Sequence, residues 1–159
     1  MLGLLREGEG GDHGDGGRGP LPDLGDLDTL VDGARSAGLV VDLERVGATG
    51  AVPRAVSREA YRIVQEALTN ALRHAGAVPV TVHVAVAEDA VALEVTNPLG
   101  KGSGRTGGGR GIAGMRERVG VLRGALVAGP DDGRWRVAAR LPFGRDRICL
   151  LYTSDAADE

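Results

Sequence analysis

The chain has 159 residues, enough for one domain with a substantial core. Its formal charge of −3 argues against a nucleic-acid or anionic-membrane surface, and no apolar run approaches the roughly 20 residues of a membrane helix. Aromatic residues make up only 3%, so the core must be built from Val, Leu, Ile and Ala.

The elements follow in chain order. Met1-Leu2-Gly3-Leu4-Leu5 is too short for a signal-peptide apolar region, and no basic segment precedes it. Leu2 to Glu7 reads as the last turn of a helix, and Gly8 to Gly19 as a Gly/Asp-rich flexible linker. Leu24 to Ala37 carries Leu24, Leu27, Leu30, Val31 and Ala34 on one helical face, with Gly38 as the stop. Leu39 to Val46 alternates like a strand. Ser57 is a candidate N-cap for a long helix from about Arg58 to Ala75, ended by Gly76. Pro79 to Ala87 and Ala90 to Thr96 read as two strands of a hairpin joined at Glu88-Asp89. Pro98 to Arg110 is aperiodic and glycine-rich. Gly111 to Arg123 shows a helical stripe of Ile112, Met115, Val119 and Leu122. Ala125 to Ala128 and Trp135 to Leu141 are two closing strands around the turn Pro130-Asp131-Asp132-Gly133. Helices set against one mainly antiparallel mixed sheet predict an α/β (α+β) two-layer sandwich, with helices on one face.

The tail, Cys149 to Glu159, resembles the conceptual translation of a transposon-end sequencing adapter, with a genuine acidic tail as the alternative. On the first reading residues 148–159 are not native, and the single cysteine carries no information on redox compartment. Without Asp155, Asp158 and Glu159 the chain would be neutral.

Two segments carry candidate chemistry. On the long helix, Glu59, Glu66, Asn70 and Arg73 fall within about 40° of one line, opposite Ala60, Val64, Ala67, Leu68, Ala71 and Ala75. Glu66 and Asn70 are four residues apart and stack one above the other, a carboxylate beside an amide carbonyl that suits Mg²⁺. Arg73, one turn on, can reach a phosphate. The alternative is a solvated polar face, with His74 a helix-end histidine favourable to the dipole. The second segment is Gly107-Gly108-Gly109-Arg110-Gly111-Ile112-Ala113-Gly114, a glycine run entering a helix, where backbone N–H groups can hold an anion. It is neither a Walker A loop nor a dinucleotide fingerprint. There is no Cys/His metal spacing, and Ser57 and Ser103 have no triad partners by motif.

The stretch Tyr61 to Asn70, followed by Gly114-Met115-Arg116-Glu117-Arg118-Val119, resembles the ATP-binding catalytic domain of bacterial sensor histidine kinases. The subfamily is the one paired with LuxR-type response regulators. The resemblance runs from about Pro20 to Phe143 and implies the Bergerat-type fold shared with gyrase and MutL. It implies ATP and Mg²⁺ as ligands, with Asn70 as the Mg²⁺ ligand and Glu66 as the acidic residue of the same box. Arg73 and His74 would lie near the phosphates, and Gly107, Gly109, Gly111 and Gly114 would form the ATP lid. Asn97 stands where the family has the aspartate that recognises the adenine amino group, and Leu99 replaces the first glycine after it. Asn97 can still accept a hydrogen bond but lacks the charge, which predicts weaker or altered nucleotide binding.

The resemblance divides the chain into the end of a dimerisation helix plus linker (1–19), the catalytic domain (20–147) and the adapter-like tail. It implies a phosphoacceptor histidine and a homodimer contact on a helical hairpin outside this sequence. His13 lies in the linker and does not match that role. A cytoplasmic domain of a membrane-anchored kinase is expected, working with a response regulator and without direct contact to nucleic acid or membrane. Two alternatives stay open. One is an anti-sigma-factor serine kinase of the same fold group. The other is a degenerate scaffold domain that binds no nucleotide.

Overall fold

The computed structural model describes residues 20–99 and 109–144. Residues 1–19, with the expected helix end and linker, Gly107 and Gly108 of the glycine run, and the adapter-like tail lie outside the described residues.

A tight 3-10 turn, Leu24–Asp26, opens the domain ahead of helix α1, Leu27–Ser36. Asp23 Oδ1 accepts from the Gly25 N–H at 2.9 Å while Asp26 Oδ2 accepts from the Asp23 N–H at 3.0 Å, a reciprocal cap. The α-helix therefore begins three residues later than the periodicity suggests. Leu24, Leu27, Val31 and Ala34 still form the buried stripe. Strand β1, Val40–Val46, alternates as expected, with Val41 buried and Val40 exposed.

Helix α2 runs over Arg54–His74, one turn longer at its start than the sequence reading. Its N-cap is Pro53, not Ser57, because proline's fixed φ already suits a helix entry. Ser57 instead sits inside the helix, buried, and its Oγ accepts from the Leu24 N–H at 2.9 Å. The hydroxyl thus serves the opening turn of α1 rather than its own helix. Both predicted helix stops hold, with Gly38 and Gly76 in the left-handed region.

Strands β2 (Pro79–Val86) and β3 (Ala90–Pro98) form the first hairpin. Helix α3 spans Gly109–Val121 and the second hairpin comprises β4 (Ala125–Asp131) and β5 (Arg134–Pro142). The hairpin turn is tighter than the four residues expected: only Asp132 and Gly133 lie between the strands, both with positive φ, a type I′ geometry.

The sheet order is β1-β2-β3-β5-β4, with β1 parallel to β2 and every other pair antiparallel. Pro130 and Gly129 explain why β4 takes the edge, since a proline cannot donate to a second neighbour. Val80, Val82, Val84, Leu93, Val95, Val137 and Leu141 point to the helices and pack with Leu24, Ile63, Val64 and Met115. The result is the two-layer α+β sandwich expected from the sequence.

Candidate functional site

The register places the site at one end of the sheet. Thr81 pairs with Thr96, so the end of β3 lies beside the start of β2. Strand β2 follows the C-terminal turn of α2 after residues 75–78. Asn97 and the Asn70 end of α2 therefore share one end of the sandwich. The start of α3 joins them: a Cβ built on Gly111 would lie 2.5 Å from Glu66 Oε2. Gly111 is thus the reason α3 can come against the Glu66 carboxylate. Gly109 opens the helix and Gly114 is half-buried along it. Arg73 and His74 are exposed in the last turn of α2.

The face of α2 bearing Glu59, Glu66 and Asn70 is not a solvated polar stripe. Glu59 is 8% exposed and Asn70 6%, Glu66 is half-buried, and of the predicted polar line only Arg73 is exposed. A buried carboxylate or amide is costly unless satisfied. The four buried polar residues among those described are Ser57, Glu59, Asn70 and Asn97. Ser57 binds the Leu24 amide, and Glu59 Oε2 accepts from Arg118 Nε at 2.8 Å. Asn97 Nδ2 donates to the Pro98 carbonyl at 2.8 Å. Asn70 differs: its Oδ1 is buried with no hydrogen-bond partner among the described residues. The one other such atom is Arg58 Nε, a donor in a cationic group and unsuited to a cation.

An amide oxygen held free in this way fits a hard cation. Among the described residues no group of three or more His, Cys, Asp or Glu could hold a metal by itself. Mg²⁺ in nucleotide sites takes one or two protein oxygens and completes its shell with phosphate and water. Asn70 is the residue here that would hold it, with Glu66 one turn away.

Asn97 is locked more firmly than its sequence position suggested. It pairs with Trp135 across β5, and the Leu99 N–H donates to the Gly133 carbonyl at 3.3 Å. Because its Nδ2 is committed to the Pro98 carbonyl, the side chain offers Oδ1 as its acceptor. The Glu59–Arg118 pair had no sequence signal as a pair: Glu59 was visible on the polar line, but its partner lies 59 residues away.

No protein-family model matches the chain. It is 37% identical over 123 residues to the signal transduction histidine-protein kinase/phosphatase DegS of Brevibacillus brevis, covering 71% of this chain and 31% of that protein. The chain thus spans about a third of that relative's length. Among solved structures it is similar to the blue-light activated histidine kinase of Erythrobacter litoralis EL346, with a TM-score of 0.64 at 18% identity, over 79% of this chain and 43% of that one. It is also similar to the catalytic domain of the histidine kinase ThkA, with a TM-score of 0.56 at 12% identity, over 76% of this chain and 95% of that one. Fold and sequence together place the chain in the family of ATP-binding catalytic domains of bacterial sensor histidine kinases.

Proposed function

We propose that residues 20–147 bind Mg²⁺-ATP and present its γ-phosphate to a histidine on a helical hairpin outside this sequence. The observation that carries this reading is the buried, unpartnered Oδ1 of Asn70. Phosphoryl transfer needs chiefly positioning and charge neutralisation. Bound Mg²⁺ would supply much of the neutralisation. Asn70 would hold the cation and Glu66 would orient the groups beside it. Arg73 and His74 stand at the exposed end of α2, where a phosphate could meet them. Gly107, Gly109, Gly111 and Gly114 would offer backbone N–H groups to the phosphates. Asn97 Oδ1 would accept from the adenine amino group.

The relative named a histidine-protein kinase/phosphatase supports a place in two-component signalling. The partner would be a response regulator with a LuxR-type DNA-binding domain, and the hairpin would supply the homodimer contact. No described helix is long and apolar enough to cross a membrane. We place the domain in the cytoplasm, with residues 1–19 leading from the hairpin and residues 148–159 foreign to the protein.

Calorimetric titration of Mg²⁺-ATP into the chain tests the proposal. Saturable binding is expected, weakened at least about tenfold by Asn70→Ala. A folded sample that binds no nucleotide would favour the degenerate scaffold.

A further inference from the structure

Helices α2 and α3 touch at two points with matched spacing. Glu59 meets Arg118, and Glu66 meets Gly111. The contacts are seven residues apart on each helix and run in opposite order, so the helices lie antiparallel with about two turns, some 10 Å, between contacts. Met115 and Ile63, both fully buried, fall between them on the same faces. The C-terminal half of α3 has further anchors. Val119 is fully buried, and Arg116 Nε donates to the Leu126 carbonyl at 3.4 Å. In the first turn Gly111 has no side chain, and Ile112 is half-buried and packs against the edge of the core. The height of this turn against Glu66 thus depends on where the rest of the rod is held as well as on Ile112.

Glu59 is nearly buried, and Arg118 Nε donates to its Oε2. Leaving that carboxylate unpaired would be costly, so the pair ties α3 at Arg118 to α2 at Glu59. We propose that Glu59 and Arg118 are a positioning pair. They fix the first turn of α3 against Glu66 and Asn70 and thereby set affinity for the phosphates of the nucleotide, without touching it. The inference rests on the nucleotide reading above and names residues that reading does not use.

The test uses the full chain and titrates Mg²⁺-ATP and adenosine separately into wild type, Glu59→Ala, Arg118→Ala, the double variant and Glu59→Gln. Each alanine variant should weaken ATP about tenfold while adenosine affinity stays within about twofold. The double variant should be no worse than the weaker single, and Glu59→Gln, which keeps an acceptor for Arg118, should recover most of the loss. Equal ATP affinity in all variants overturns the inference, and so does a parallel loss for ATP and adenosine, which marks general damage. Hydrogen exchange of residues 109–121 in the nucleotide-free chain provides an independent arm. Glu59→Ala should speed exchange in the first turn of α3 and leave β2 and β3 unchanged, and no change there sinks the idea. If wild type binds no ATP, the nucleotide reading fails, and the exchange result still decides whether the pair holds α3.

Discussion

Single residues in this domain do work that their local sequence does not announce. Ser57 has the chemistry of an N-cap, yet its hydroxyl closes a buried bond to the Leu24 amide. Ser57→Ala should cost about 1–3 kcal/mol, because it leaves that N–H buried and unpaired. Urea unfolding of wild type and variant measures it directly. Gly111 offers a sharper contrast. Alanine is the better helix former by about 1 kcal/mol, but its Cβ would meet the Glu66 carboxylate at 2.5 Å. Glu66 is a flexible side chain and can turn aside. Gly111→Ala should therefore leave the melting temperature unchanged or raised while lowering Mg²⁺-ATP affinity. A variant that melts lower and binds normally would contradict this account.

At the scale of elements, each boundary shift has a local cause. Pro53 moves the start of α2 one turn earlier than Ser57 suggested. The reciprocal Asp23/Asp26 cap tightens Leu24–Asp26 ahead of α1. The second hairpin closes on Asp132 and Gly133 with φ of 56° and 80°. A left-handed non-glycine residue costs roughly 1–2 kcal/mol, less for Asp, and a β-branched one is the worst choice. Asp132→Val should destabilise by about 1 kcal/mol and Asp132→Gly should be near neutral, as chemical denaturation would show. The turn matters beyond its own hairpin, because its Gly133 carbonyl accepts from Leu99 at the end of β3.

At the scale of the molecule, Tyr61 of α2 is nearly buried and feels Asp26 of the opening turn. Burial raises its phenol above the ordinary tyrosine range, and the nearby Asp26 carboxylate raises it further. The folded state therefore holds this proton more tightly than the unfolded chain. The resulting stability is complete below the unfolded value of about 10 and is lost as pH rises toward the higher folded value. Wild type should lose stability over that alkaline window, and Tyr61→Phe should lose less. Unfolding midpoints measured from neutral pH to the alkaline range compare the two slopes.

Much of this architecture was legible in the sequence because its signals are local. Alternation in Leu39 to Val46, the helical stripe through Met115 and Val119, and the stops at Gly38 and Gly76 each depend on residues a few positions apart. The same holds for the polar line of Glu59, Glu66 and Asn70, which one helix is enough to align. Tertiary structure alone decided what that line faces. Helix α3 pairs Arg118 with Glu59 and sets Gly111 against Glu66, while Asn70 Oδ1 is buried without a partner among the described residues. Tertiary structure also decided that β5, not β4, joins β3. Backbone conformation follows from side chains within a turn or two. Burial and pairing follow from which surfaces meet, and these join residues far apart in the chain with no periodicity to mark them.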